Sequence, residues 1–486
     1  MDVNQFTCLE NKYRLLDDTI CGFRYWAYIR RNIYNGVVDR TEDEVVHIDE
    51  RGHTVKSISQ LLSIFKNMTV DNPLIACHQS DILFISHARR VQENGLYKCI
   101  YTDDIADKFG QKAITGEFIY LMKHFKPAYT KNLIYFDCVD IIPTLYFRID
   151  KYKLKKDLEI IKSKTSRVAN LISNEIGINI DEQKLYRITE RRYIWYRRKK
   201  EIIRKILLRI KPKVIVEVVG YEVNKMIFNE VASELGIQTV ELQHGPIGPG
   251  KLAYNYLGDT KYTYMPDKLL TFSEYWKNSC SFPIGENNII PVGYPYMEEQ
   301  HHKYPRHIDD SSLPTIIVLS QPAISEELQK YILSCLDSKR RGGFPYKIIY
   351  KLHPSEYSRA EEIKKSFAAY EFVEIVDNSS RSLYELFSIS DIQIGVFSTA
   401  IYEGLSYNLE TWLYLAEGAD VEGYMGDLFK MGYASKIISV DDFYDSLESW
   451  NNKEFDRSNK ANNPFFMNNA IDNICRVIKE GLEGKE

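Results

Sequence analysis

Three short segments of this sequence put chemically capable side chains where an apolar run gives way to turn residues. In 241–249, ELQHGPIGP, His244 follows the run ending at Leu242, and two glycines and two prolines force a turn. An imidazole there suits a general base, because its unperturbed pKa is about 6.5; the plainer reading is a loop histidine bonding its own turn. In 346–355, YKIIYKLHPS, Lys351 and His353 alternate at the end of a predicted strand and so share a face, which Pro354 terminates. That pair suits clamping a phosphate or protonating it as it leaves, or is an edge-strand surface pair. In 390–404, SDIQIGVFSTAIYEG, Ser398 and Thr399 stand where a buried strand enters a helix. Free N–H groups at a helix start suit phosphate, and Glu403, about one turn on, suits two ribose hydroxyls. Ordinary capping, with Glu403 on a solvated face, is the alternative. Further candidates for a base are Glu222, after the apolar run 213–219, and Asp104.

Nothing in the sequence has metal-ligand spacing. The eight cysteines are scattered without a CxxC pair or a Cys/His cluster, and Asp103-Asp104 and Asp309-Asp310 are adjacent pairs rather than DxD. No metal is expected, and the thiols read as reduced ones in a cytosolic setting.

The elements that must hold these residues follow from hydrophobic period. Residues 8–35 read as one or two helices, with another near 57–67. Strands are predicted at 81–86 and 132–137, then a long helical region to about 210. The unbroken apolar run 213–219, a helix over 223–235 and a strand at 237–242 make a βαβ unit, with further strands at 268–272 and 288–292. The polar stretch 293–314 reads as a linker. Beyond it strands (315–320, 346–352, 372–376, 391–396, 409–415) alternate with helices (325–338, 359–368, 381–389, 399–406), and a helix at 464–482 ends the chain. The fold class is α/β, with two Rossmann-like doubly wound domains facing a cleft and helical N-terminal additions. The expected division is 1–295, with helical insertions at about 1–75 and 150–210, then 296–463, then a C-terminal helix 464–486 packing back on the first domain.

In chain order the motifs are QHG in the first domain, then KLHP and FSTAIYEG in the second. This order resembles bacterial surface-polysaccharide glycosyltransferases of GT-B fold. That group includes capsule Kdo transferases, sialyltransferases with an HP and a Ser-Ser/Thr motif, and teichoic-acid CDP-glycerol phosphotransferases. The stretches PDKLLTFSEYW and PVGYP are similar to the group as well, and the likeness is most specific from Lys213 to Ile438. The resemblance implies a metal-independent, inverting transferase that takes no cofactor beyond its nucleotide-sugar donor. The best guess for that donor is a CMP-linked acidic sugar such as Kdo or a sialic-acid relative, and the acceptor is a glycan or lipid-linked glycan. It puts Lys351, His353, Ser398, Thr399 and Glu403 on the nucleotide, with Ser320 and Gln321 beside them, and His353 at the departing phosphate. The sialyltransferase Asp/Glu-Asp/Glu-Gly motif is not apparent, since Asp103-Asp104 is followed by Ile105, so the base stays open among His244, Glu222 and Asp104, with His244 preferred. The other readings are a CDP-glycerol or CDP-ribitol phosphotransferase, a UDP-sugar 2-epimerase, and a non-catalytic scaffold of polysaccharide assembly.

Composition narrows the rest. The 486 residues carry 63 Lys+Arg against 67 Asp+Glu, a net charge of −4 that argues against a nucleic-acid partner. No apolar run is long enough to span a membrane, and the N-terminus has no signal pattern, so a cytoplasmic location is expected, with the inner face of the membrane as a variant. Residues 184–213 hold thirteen Arg and Lys, with Tyr193, Trp195 and Tyr196 between them. Such a helix lies on an anionic membrane, forms a solvated face, or walls a site for an anionic acceptor.

Overall fold

Runs of aliphatic residues become central strands. The computed structural model describes residues 1–38, 66–69, 72–76, 78–120, 123–177, 179–258, 260–306, 313–338, 344–377, 381–452 and 463–484. The helix expected near 57–67 and the pair Asp309-Asp310 fall largely or wholly outside them. The chain divides into two units: Met1–Phe272 with Lys277–Gly293 and Asn469–Glu486, and Ser273–Trp276 with Tyr294–Asn468.

In the first unit the strands are β1 (Ile82–Ile85), β2 (Arg90–Glu93), β3 (Leu96–Cys99), β4 (Ala113–Glu117), β5 (Leu133–Tyr135), β6 (Val214–Val218), β7 (Gln238–Leu242), β8 (Lys268–Thr271) and β9 (Ile289–Pro291). Seven of them form one parallel sheet in the order β5-β4-β1-β6-β7-β8-β9, while β2 and β3 make a separate antiparallel hairpin. β1 and β6 are buried along their whole length, as parallel strands covered on both faces must be. The sequence reading missed β4 and the hairpin. β4, AITGE, lacks an apolar run, yet every residue is buried, and Gly116 is required because a Cβ there would lie 2.1 Å from the Phe136 ring.

The predicted helical region resolves into Asp137–Lys153, Lys155–Ile176 and Glu182–Ile210. The last packs against both others and against the helix Val223–Glu234, burying Tyr193, Tyr196 and a stripe of Ile and Leu. Its cations turn to acids: Arg198 to Asp150, Lys199 to Asp140, Lys200 to Glu230 and Glu234. Tyr193 and Tyr196 are thus spent on the core of the unit, whereas Trp195 is half-buried. Among the described residues no helix is long and apolar enough to cross a membrane.

The N-terminal helices Val3–Lys12 and Tyr25–Val38 are fixed by a buried ion pair. Arg30 Nη2 lies 2.7 Å from Glu10 Oε2, Trp26 Nε1 donates to the other Glu10 oxygen, and Arg30 donates to the carbonyls of Leu252 and Asn255. Both charged partners are 1% exposed, a geometry in which losing either one costs about 3–5 kcal/mol.

The second unit holds β10 (Thr315–Leu319), β11 (Lys347–Lys351), β12 (Val373–Val376), β13 (Ile392–Gly395), β14 (Glu410–Tyr414) and β15 (Ser435–Ile437). All are parallel, in the order β12-β11-β10-β13-β14-β15. That is the Rossmann order 3-2-1-4-5-6. The chain is α/β with two Rossmann-like parallel sheets, one per unit. The segment read as a linker contains the helix Pro295–Lys303, opened by proline at its first position and anchored by buried Tyr296, Met297 and Gln300. The last helix, Ala470–Glu483, lies on the first unit beside β6 and the helix Asp103–Phe109.

Candidate functional site

In each unit the residues with chemistry gather at the C-terminal edge of the sheet, where the strand order reverses. Crevices at such switch points are where ligands of open α/β sheets bind. In the first unit the reversal falls between β1 and β6. Ser86 and His87 follow β1, Tyr221 and Glu222 follow β6, and His244 follows β7.

The turn after β6 is strained. Val219, a β-branched residue, has φ +63, and its carbonyl accepts the Glu222 N–H at 3.0 Å. Strain of about 1–3 kcal/mol held at such a point is a mark of functional sites. Gly220 follows because a Cβ there would lie 2.6 Å from Glu241 Oε2 and 2.7 Å from Glu217 Oε1. The turn presents Glu222 half-exposed, with Oε2 held 2.8 Å from the ammonium of buried Lys225. Burial works to raise this carboxyl, but the Lys225 cation outweighs it and holds the group below its ordinary value.

His244 sits among tyrosines. Its Nε2 is 3.3 Å from Tyr221 Oη and its Nδ1 3.4 Å from Tyr254 Oη, while Tyr101 donates to its carbonyl at 2.7 Å. Tyr254 gives its proton to Glu241 at 2.7 Å, so its oxygen receives from Nδ1–H and leaves Nε2 as the acceptor. Burial, His87 at a ring separation of 6.2 Å, and Lys225 push the His244 imidazole down to about 3. His87 is likewise lowered, to about 4, by burial and Lys225. Both rings are therefore neutral at pH 7 and, like the Glu222 carboxylate, weak bases. Asp104 is spent on Lys98 of the hairpin, 2.8 Å away.

Beneath this cluster lies a feature the sequence reading missed. Glu217 on β6 and Glu241 on β7 are paired directly in register and buried. Burial and mutual repulsion push Glu217 up to about 8, and burial pushes Glu241 up to about 7. Asn229 donates to Glu217 at 2.9 Å. The signal was present: a glutamate inside each of two apolar strand runs, VIVEVV and TVEL, needs a reason.

Two cavities flank Glu222. One, of about 230 Å³, is lined by His87, Arg90, Glu117 and Lys225 among others. The other, of about 370 Å³, lies between the Tyr25–Val38 and Glu182–Ile210 helices and the start of the Val223–Glu234 helix. Tyr221 and Glu222 belong to its wall.

In the second unit the reversal falls between β10 and β13. Gln321, just past β10, spans it: its side chain accepts from the Phe397 N–H at 3.1 Å and donates to the Phe397 carbonyl. Buried Glu356 ties two loops together, accepting from Ser320 Oγ at 2.9 Å and from the His353 N–H at 2.8 Å. β11 stops at Lys351, so His353 lies past the strand and caps the turn Pro354–Arg359 instead of alternating within β11. The Ser355 N–H donates to His353 Nδ1 at 3.2 Å, which places the proton of the neutral ring on Nε2. Lys351 Nζ contacts Tyr357 Oη at 3.0 Å. Ser398 caps the helix Thr399–Leu405, accepting from the Ala400 N–H at 3.2 Å. Ser320, Gln321, Lys351, His353, Ser398 and Thr399 thus share one sheet edge. Glu403 is 1% exposed, so it does not lie on a solvated face.

Among the described residues no group of three or more His, Cys, Asp or Glu side chains is arranged to hold a metal ion. No protein-family model and no curated protein matches the chain. Solved structures similar to it include a putative UDP-N-acetylglucosamine 2-epimerase from Listeria monocytogenes, at 10% identity and TM-score 0.49 over 84% of this chain and 98% of that one. A UDP-GlcNAc 2-epimerase from Methanocaldococcus jannaschii aligns at 13% identity and TM-score 0.47, over 82% and 99%. A glycosyltransferase from Rickettsia africae aligns at 13% identity and TM-score 0.42, over 84% and 100%.

Proposed function

We propose that the chain is a glycosyltransferase acting on a nucleotide-activated sugar. The carrying observation is the repeated placement: each unit gathers its polar and titratable residues at the switch point of a Rossmann-like sheet. The second unit would take the nucleotide. His353 Nε2–H and the Lys351 ammonium are donors suited to a phosphate whose negative charge grows as it leaves. The His353-Pro354 and Ser398-Thr399 motifs favour a CMP-linked acidic sugar as donor and a surface-polysaccharide glycan as acceptor. The first unit would take the acceptor. Glu222, ionised, half-exposed and held by Lys225, accepts the proton of an acceptor hydroxyl as that oxygen bonds the anomeric carbon. The bond from that carbon to the phosphate oxygen breaks, and the configuration inverts.

The test is turnover of CMP-, CDP- and UDP-sugars, with and without glycan acceptor, by the parent chain and by Glu222→Gln and His244→Asn. The expected result is acceptor-dependent turnover reduced about 100-fold or more in Glu222→Gln and far less in His244→Asn. Because the Glu222 carboxyl is held down, the acid limb of the rate profile should fall below pH 4.5. His244 and His87, lowered to about 3 and 4, would give a limb in the same range, so the rates of Glu222→Gln and His244→Asn decide between them. Acceptor-free turnover of the nucleotide sugar would instead make the chain an epimerase.

A further inference from the structure

The helix Asp137–Lys153 turns an apolar stripe away from the protein. Leu145, Ile149 and Tyr152, four and three residues apart, share one face, and Tyr146 borders it. All four are between 45% and 83% exposed, while the helix buries Cys138, Val139, Pro143 and Asp150 and packs against Glu182–Ile210. Single apolar residues on a surface need no reason, but four so close on one helix and rimmed by charge mark a contact surface. The rim is cationic. Arg148, Lys151, Lys153, Lys155 and Lys156 are all exposed, the last two opening the next helix. Lys151 is met by Glu190 at 2.8 Å, but among the described residues no carboxylate pairs with Arg148, Lys153, Lys155 or Lys156. Asp150, the one acid within 144–156, is buried and held by Arg198, whose guanidinium also lies 5.0 Å over the Tyr146 ring. A chain with a net charge of −4 thus concentrates positive charge beside its exposed apolar stripe. A second copy is a poor occupant, because a two-fold contact would set these cations against themselves.

We propose that this face docks the chain on an anionic lipid surface. The helix lies along the headgroups with Leu145, Ile149 and Tyr152 at the boundary of the acyl chains. The hydroxyls of Tyr146 and Tyr152 stay at the wet level, and Arg148, Lys153, Lys155 and Lys156 reach the lipid phosphates. The contact falls on 145–156 and not on 184–213. None of these residues belongs to either switch point, so the docking stands independently of the transferase reading.

Flotation of the full chain over a range of lipid concentrations tests this directly. The vesicles are phosphatidylcholine alone, and equal parts of phosphatidylcholine and phosphatidylglycerol. The expected result is affinity for the anionic vesicles about tenfold or more above that for the neutral ones, weakening as salt is raised. Two triple variants, Leu145→Ser with Ile149→Ser and Tyr152→Ser, and Lys153→Gln with Lys155→Gln and Lys156→Gln, should each weaken that binding about tenfold or more. All six positions are exposed, so melting temperature should stay unchanged in both. Lys205→Gln with Arg209→Gln, on the Glu182–Ile210 helix, should leave binding intact. Equal affinity for the two kinds of vesicle, binding that survives both triple variants, or loss only in the Lys205 and Arg209 variant overturns the proposal. So does a dimer of the parent chain that the serine variant dissolves, which would give the stripe to a second copy.

Discussion

Two carboxyl groups on adjacent strands, Glu217 and Glu241, keep protons at neutral pH that the unfolded chain would have released. Between the ordinary value of 4.5 and about 8 the folded state binds more protons than the unfolded one, so stability should fall as pH rises through that window. Melting temperature measured from pH 5 to pH 8 should decline, and Glu217→Gln should flatten the slope and raise the pH 8 value by about 2–4 °C. A variant that melts several degrees lower at pH 8 would mean that the ionised carboxylate is needed. Val219 makes a second residue-scale prediction. Val219→Gly relieves a left-handed backbone but loosens the turn that presents Glu222. Melting should shift by no more than about 2 °C while turnover falls roughly tenfold, about 1.4 kcal/mol. Unchanged turnover would show that the turn needs no restraint. The strained φ of Val219 is a property of the folded chain, whereas the two glutamates were legible as charges inside apolar runs and only their pairing was not.

At the scale of elements, what the sequence made legible was what burial writes into it. The apolar runs at 213–219, 237–242, 315–320 and 391–396 are β6, β7, β10 and β13, and the residues after them line the two switch points. Elements that bury little apolar area, or do so with mixed composition, were missed: β4, the β2–β3 hairpin, and the run of Val421–Lys430, Ser435–Ile437 and Val440–Asn452. The basic helix stays open among three readings in the sequence for a related reason. Its charges are plain in the sequence, but the acids that meet them, Asp140, Asp150, Glu230 and Glu234, lie 30 to 59 residues away. Site residues followed the same division. His244, Glu222 and the second-unit group were legible as strand-end residues, whereas Tyr254 is brought in by packing.

For the molecule as a whole, the path of the chain through its two units matters most. The first unit is built from both ends of the sequence, with the second inserted after Gly293. Ala470–Glu483 buries Ile474, Val477 and Ile478, and Gly481 is required where a Cβ would lie 2.2 Å from Gln238 Oε1 and 3.0 Å from Val214 Cγ2. A chain cut after Asn468 should lose the cooperative melting of the first unit and expose that apolar face; dye binding and calorimetry would show it. A truncated chain that melts like the parent would make the helix dispensable.

That same helix sets a timetable on the ribosome. Residues up to 293 emerge with the seven strands complete but with the place of Ile474 and Ile478 on the sheet uncovered. Translating the stretch from Tyr294 to Glu483 at 5–20 residues per second takes on the order of ten to forty seconds. For that interval the nascent first unit carries an apolar surface that only a segment made after the second unit can cover. The second unit, continuous from Tyr294 to Asn468 but for its few residues near Trp276, can finish folding first. The order of completion is thus the reverse of the order in which the two sheets are read out, and holding chaperones should engage this chain during synthesis of its second half.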